Sequence, residues 1–337
     1  MTAPPPDSVE AARRLVEPFL REAVGRLDPM TARVAGYHLG WNDADGRPAR
    51  AGGKSLRPAL ATLSARAAGA SPSRGASAAA AVELVHAFSL LHDDIMDGDR
   101  TRRHRPTAWV VFGRPAAILA GDALLILAMD TLLSDGTQGA VWAARCLSVA
   151  TQRLITGQAA DMEFETRQDV GLDECRRMAE DKTGSLLACA CSIGAMTVQA
   201  PQPLVTALAA YGSEIGLAFQ LADDLLGIWG DPELTGKPAL SDLRARKKTL
   251  PIVAALAGDT GAGRRLAGLL ADPAPLSEAD LLEAAQLVDQ AGGRAWAEKQ
   301  AQHHLDVSER ILSAAPITPD IRAEFLDIAR FITSRDH

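Results

Sequence analysis

The chain has 337 residues, 47% of them apolar, and a net charge of −7, enough for one large domain or two ordinary ones and for a sizeable core. Aromatic residues make up only 4%, so Ala, Leu, Val and Ile must build that core, a composition that favours helix-on-helix packing. The acidic balance excludes the basic footprint of a nucleic-acid-binding domain, although basic clusters at 100–105 and 244–248 each follow a paired aspartate.

Residues 1–8 are Pro-rich and lack an apolar run, so they read as a disordered tail without a signal peptide. From 9 to 27 apolar side chains recur at helical spacing. A loop rich in Gly, Asp and Pro covers 39–53. Helical patterns then run over 54–70, 75–99, 115–134, 137–166, 172–198, 202–229, 247–272, 277–293, 294–314 and 318–334. Breakers separate them, among them Pro72, Gly113 with Pro115, Asp135-Gly136, Pro201 with Pro203, Gly230 with Pro232, and Pro273 with Pro275. No alternating strand pattern and no repeat interrupts the series. The expectation is an all-α protein, a single large bundle of ten or more helices over residues 9–337. The most apolar stretch, 116–133, carries Asp122 and Asp130, which argues against a transmembrane segment. Cys146, Cys175, Cys189 and Cys191 show no metal-ligand spacing and suit a reduced, cytoplasmic chain.

The sharpest local feature is His92-Asp93-Asp94-Ile95-Met96-Asp97, late in an apolar helix. Asp93 and Asp97 are four apart and project from one face, where two carboxylates can share a hard cation such as Mg²⁺ that also takes phosphate oxygens. A second acidic pair, Asp223-Asp224, follows Phe219-Gln220 late in another apolar helix. Carboxylates brought together from two helices repel unless cations intervene. Basic residues complete the set: Lys54 and Arg57 in Gly52-Gly53-Lys54-Ser55-Leu56-Arg57-Pro58, Arg102 and Arg103 after the first acidic motif, and Lys182-Thr183 and Lys237 apart from both. A metal wants carboxylates, whereas a phosphate without metal wants Arg and Lys; the chain has both. His86 lies seven before Asp93, on the same face. His92 faces elsewhere and reads as structural.

In this order the residues resemble the trans-isoprenyl diphosphate synthases, over residues 50–251 and more loosely to the end. The resemblance implies an isoprenoid-synthase bundle around a central cavity, a homodimer, and condensation of isopentenyl diphosphate with a C5 to C15 allylic diphosphate. It implies three Mg²⁺ ions, two held by Asp93 and Asp97 and one by Asp223. Arg102, Lys182 and Lys237, with Lys247 nearby, would grip the allylic diphosphate. Lys54, Arg57, His86 and Arg103 would form a metal-free site for isopentenyl diphosphate, and Thr183 and Gln220 a polar pair beside the reacting carbons. Gln158 and Asp161 match a further family motif and, three apart, could also be an internal hydrogen-bond pair. The chain departs from the family at Gly227, where the second motif normally ends on a third aspartate, and at Ser55, often Arg. Restoring a carboxylate at 227 is expected to be tolerated or mildly activating.

Product length is read from the turn before Asp93. Phe88, five residues before it, would form the floor of the tunnel; Ser89, four before, is small, and the motif has no insertion. That combination resembles synthases making geranylgeranyl diphosphate (C20), with farnesyl diphosphate (C15) the alternative. A terpene cyclase of the same architecture would not need Lys54, Arg57, His86 and Arg103, and a non-catalytic subunit would not need intact Asp93, Asp97 and Asp223.

Overall fold

The protein is described by a computed structural model covering residues 5–49, 53, 55–231, 239–272 and 274–333. In chain order the helices are α1 (Asp7–Gly25), α2 (Pro29–His38), α3 (Leu56–Ala67), α4 (Ala76–Met96), α5 (Ala108–Phe112), α6 (Arg114–Leu133), α7 (Gln138–Thr166) and α8 (Leu172–Ala179). They continue with α9 (Ser185–Thr197), α10 (Gln202–Trp229), α11 (Ser241–Arg244), α12 (Leu250–Ala257), α13 (Gly261–Ala271), α14 (Glu278–Gln290), α15 (Gly293–Ala314) and α16 (Pro319–Thr333). The fold is all-α, as the sequence predicts. Among the described residues the only sheet is a hairpin of two-residue strands, β1 (Thr101–Arg102) and β2 (Arg105–Pro106).

Local chemistry explains the differences from the predicted elements. Helix α1 begins at Asp7, inside the expected tail, and the first four residues lie outside the described part. Helix α2 falls in a stretch left unassigned. Its start is encoded by Asp28, whose carboxylate accepts from the Met30 and Thr31 N–H groups at 3.0 and 3.2 Å, and by Pro29 in the first turn. The pattern over 247–272 divides at Gly258, because Thr260 caps a new helix by accepting from Gly263 N–H at 2.9 Å. The pattern over 172–198 is continuous but passes through a π-helical turn, Glu180–Gly184.

Helix α4 is buried on nearly all sides; residues from Ala78 to Val82, with Leu84 and Val85, have no exposed surface. Alanines let α3, α6 and α9 approach it closely, so its far end is fixed within a rigid core. Helix α10 is likewise flanked by α9 and α15. The largest apolar cluster joins α1–α4, α6, α7, α9 and the first half of α10. Two smaller clusters lie beneath the end of α10, one with α11–α14 and one with α8 and α12. Helices α6 and α10 are long and apolar enough to cross a membrane by composition; in the fold both are bundle members with faces packed in the core.

Candidate active site

Helix α4 stays regular to Met96, and Asp97 N–H donates to the Asp93 carbonyl at 2.8 Å. Both carboxylates therefore sit at the negative end of the helix dipole, an unfavourable place for anions. Cations surround them. Lys247 Nζ lies 2.9 Å from Asp97 Oδ2, Arg102 Nε donates to Asp94 Oδ1 at 2.7 Å, and Lys182 Nζ lies 2.5 Å from Asp161 Oδ2. Burial pushes Asp93 up to about 6, the charges of Asp97 and Asp161 adding to the shift while Lys182 and Arg102 oppose it. Burial also raises Asp94 to about 6, against the Arg102 guanidinium.

Across from α4, the π-helical turn and α10 carry the second acidic motif. A π-turn bulges one residue out of the ladder and frequently marks a functional site; this one presents Lys182 and Thr183. A Cβ on Gly157 would overlap the Lys182 backbone, so glycine there lets α7 close on the turn. Thr183 Oγ1 donates to Gln220 Oε1 at 2.6 Å, and Gln220 Nε2 donates to Asp224 Oδ1 at 2.6 Å. Asp224 Oδ2 accepts from Leu250 N–H at 2.9 Å. Buried Asp224 is thus a structural tie between α10 and α12, and burial, with the Asp242 charge next, raises it to about 8. Asp223 is exposed beside it. The place of a third carboxylate at Gly227 is filled: a Cβ there would collide with the Asp242 carboxylate. A carboxylate restored at 227 would therefore require the Asp242 side chain to move aside.

The third part is cationic. Arg57 Nη1 lies 3.2 Å from His86 Nε2; since a guanidinium is a donor only, that nitrogen accepts and the ring is neutral. Burial and the neighbouring Arg57, Arg103 and Arg102 hold His86 well below its usual range. Burial lowers Arg57 to about 10, and its Nε is buried with no hydrogen-bond partner among the described residues. Arg103 and His104 form the turn of the β1–β2 hairpin with φ of 51° and 60°, left-handed values that non-glycine residues seldom adopt. Tyr37 Oη to the Pro106 carbonyl (2.7 Å) and Thr107 Oγ1 and Trp109 Nε1 to the Asp99 carbonyl (both 2.8 Å) pin the hairpin. The Arg103 guanidinium lies over Gly53, where a Cβ would meet Nη1 at 2.8 Å. A cavity of about 30 Å³ beside it is lined by His38, Asp94, Arg102, Arg103 and Arg105.

Lys54 and Lys237 lie outside the described residues. Gln158 and Asp161 do not form the internal pair that was one expectation: Asp161 holds Lys182, while both polar atoms of buried Gln158 lack partners among the described residues. His92 Nε2 donates to the Ile118 carbonyl (3.1 Å), and the ring packs on Gly121. Phe88 is buried, edge-on to His92 at 4.8 Å between centroids, and Ser89 Oγ is turned back to the His86 carbonyl at 2.9 Å. The sequence reading missed His38, Glu83 and Asp242. His38 ends an unassigned helix, Glu83 lies one turn before His86, and Asp242 stands just ahead of the 244–248 basic cluster, so no local spacing singled them out.

Among the described residues no three His, Cys, Asp or Glu side chains converge as a ready-made metal cage. The donor set still fits Mg²⁺, which takes one or two carboxylates and completes its shell with water and phosphate oxygens. Half-buried Asp93, raised first by desolvation and further by the charges of Asp97 and Asp161, is the kind of carboxylate a divalent ion would relieve.

The polyprenyl synthetase family model matches residues 47–288. The (2E,6E)-farnesyl diphosphate synthase of Mycobacterium tuberculosis is 48% identical over 98% of this chain and 96% of its own length. A geranylgeranyl diphosphate synthase of the same organism is 44% identical over 94% and 91%. The crystal structure of a polyprenyl synthetase from Streptomyces coelicolor superposes with a TM-score of 0.93 at 49% identity, covering 97% of this chain and 98% of that one. The chain belongs to the polyprenyl synthetase family. It is accordingly a prenyltransferase, a trans-isoprenyl diphosphate synthase, in a family whose chemistry depends on Mg²⁺.

Proposed function

We propose that residues 9–337 act as one cytoplasmic catalytic unit that makes farnesyl diphosphate, using two unlike diphosphate sites. Asp93, Asp97 and Asp223 would hold three Mg²⁺ ions, which when bound neutralise and polarise the allylic leaving group. Lys182, Arg102 and Lys247 release their present carboxylates and, together with Lys237, bind the same diphosphate as its charge grows. Arg57, His86, Arg103 and Lys54 hold isopentenyl diphosphate through direct hydrogen bonds. The Thr183–Gln220 pair orients the reacting carbons, and the apolar wall that includes Phe88 keeps water from the allylic cation. The allylic C–O bond breaks to leave the cation and free diphosphate, the isopentenyl double bond attacks the cation, and the proton lost from the new intermediate passes to that diphosphate. The observation that carries the division is the buried Arg57, whose Nε has no partner among the described residues and whose histidine neighbour is neutral: a place for an anion without a metal.

The C15 product is favoured over the C20 expectation by the higher identity and coverage of the farnesyl relative. Chromatography of dephosphorylated products from C5, C10 and C15 primers tests it; substantial C20 from a C15 primer would restore the longer reading. A homodimer is supported by exposed large apolar side chains on the adjoining α6 and α7, among them Leu119, Ile126, Trp142, Val149 and Ile155. Light scattering on Ile126→Glu, expected to yield monomer, tests that.

A further inference from the structure

The site described above uses no cysteine, yet two of the cysteines meet. Cys146 on α7 and Cys189 on α9 share a hydrogen bond with their sulfurs 3.6 Å apart. Cys175, Cys189 and Cys191 are buried, whereas Cys146 is half-buried and reaches the surface. Hydrogen bonds from Cys189 and Ser192 hold the Cys146 thiol below its usual range, while the same contact and burial hold Cys189 well above. An accessible thiolate beside a protonated thiol is the arrangement in which an oxidised sulfur finds a resolving partner. The pair lies within a close helix seam. At one end a Cβ on Gly139 would strike the Thr197 carbonyl, and at the other a Cβ on Gly157 would strike the Lys182 backbone, so glycines bring the chains to backbone contact on both sides of the sulfurs. Between Cys189 and the second contact, Ser185 Oγ donates to the Ala150 carbonyl at 3.1 Å and Arg153 Nε donates to Asp181 Oδ1 at 2.7 Å. Two turns before Cys189 the seam enters the π-helical turn that carries Lys182 and Thr183.

We propose that Cys146 and Cys189 form a reversible disulfide that slows the enzyme when a peroxide is present. Cys146 Sγ attacks the peroxide; the O–O bond breaks, one hydroxyl stays on the sulfur as a sulfenic acid, and the other leaves with the thiol proton as water. Cys189 Sγ then attacks that sulfur; the S–S bond forms, the S–O bond breaks, and hydroxyl leaves with the Cys189 proton as a second water. A dithiol reductant restores both thiols by exchange and is itself oxidised to a disulfide. Closing 3.6 Å to an S–S bond of about 2.05 Å draws the sulfurs together by roughly 1.5 Å. Both ends of the seam are already in backbone contact, so the shift falls on its irregular part, the π-helical turn. The loss of rate rests on Lys182 and Thr183 serving the reaction; the disulfide itself does not.

The test treats the full chain with hydrogen peroxide in its own state of assembly, since Val149 of the proposed homodimer contact lies one turn from Cys146. Non-reduced peptides are mapped by mass spectrometry, and condensation is assayed before treatment, after it, and again with dithiothreitol. A linked Cys146–Cys189 peptide is expected, with a loss of rate of about tenfold, within the range that a displacement of about 1 Å produces in positioned groups, recovered with dithiothreitol. Cys146→Ser, checked for folding by circular dichroism, is expected to keep the wild-type rate and to be unmoved by the same peroxide. Absence of the linked peptide overturns the proposal; so does its appearance with an unchanged rate, or an equal loss of rate in Cys146→Ser. Should the serine variant not fold, the linked peptide and the recovery of the wild type decide alone. Lys182→Ala, assayed without peroxide, separates the two readings: a wild-type rate there refutes the role of Lys182, and with it the route from the disulfide to the rate, while the peptide map stands on its own.

Discussion

The acidic and cationic halves of the site handle charge in opposite ways. In the acidic half, Asp94, Asp97 and Asp161 each hold a cation of the protein itself, Arg102, Lys247 and Lys182. In the cationic half, Arg57 and Arg103 lie near one carboxyl, Glu83, whose burial raises it above its usual range, and His86 and His38 are held neutral, His38 down to about 3. The first arrangement is self-neutralised, so metal and diphosphate must displace protein partners; the second gathers guanidiniums and neutral imidazoles, with a buried Arg57 Nε unpartnered among the described residues, and suits an anion directly.

The largest expected effect breaks the acidic half. Asp93→Ala or Asp97→Ala is expected to lower condensation at least about a hundredfold at saturating Mg²⁺, the scale of losing one electrostatic stabiliser, with circular dichroism unchanged; a variant retaining a tenth of the wild-type rate contradicts the assignment. Next, the cationic half is isolated by Arg57→Ala and Arg103→Ala. Losing a charge-assisted hydrogen bond costs about 1.5–3 kcal/mol, roughly ten- to a hundredfold in the Michaelis constant for isopentenyl diphosphate. Equal changes for the allylic substrate would erase the division between the halves. Lys54→Ala is expected to behave likewise.

Phe88→Ala is expected to lengthen the product and Ser89→Phe to hold it at C15 or shorten it, read by chromatography. The buried ring makes the first variant about 3–5 kcal/mol less stable, so folding is checked first; an active variant with an unchanged product ladder removes Phe88 from length control. The smallest effect concerns Asp224. Its raised folded value of about 8 means that the folded state keeps a proton the unfolded chain has already lost, so stability falls as pH rises towards 8. The lowered histidines act with the opposite sign, but only below about pH 6.5, the ordinary histidine value. Asp224→Asn is therefore expected to flatten the melting temperature between about pH 7 and 8.5. A slope there equal to that of wild type would show that Asp224 is ionised in the fold.

What could be read from the sequence follows the range of the interactions. Asp93 and Asp97 are legible because a helix fixes their relation within one turn, and Arg102 and Lys182 because they stand beside motifs. The bundle is legible because α4 and α10 are apolar on most faces. The partnership of Gly227 with Asp242 is not, since it joins the end of α10 to a four-residue helix whose position comes from packing of Leu243 and from two left-handed residues. The pairing of Lys247 with Asp97 crosses 150 positions and leaves no periodic trace. The hairpin that carries Arg103 is hidden because its turn uses Arg and His where glycine or asparagine would announce it. Helix α2, with His38 at its end, is marked in the sequence only by its Asp28-Pro29 start.

The division of the two diphosphate sites is tested most directly by binding in the presence of a metal chelator. Isothermal calorimetry with EDTA would compare isopentenyl diphosphate with a non-reactive allylic thiolodiphosphate, each repeated with Mg²⁺. Isopentenyl diphosphate is expected to bind with EDTA nearly as well as with Mg²⁺, and the allylic analogue only with Mg²⁺. Loss of both ligands in EDTA, or retention of both, would contradict the account.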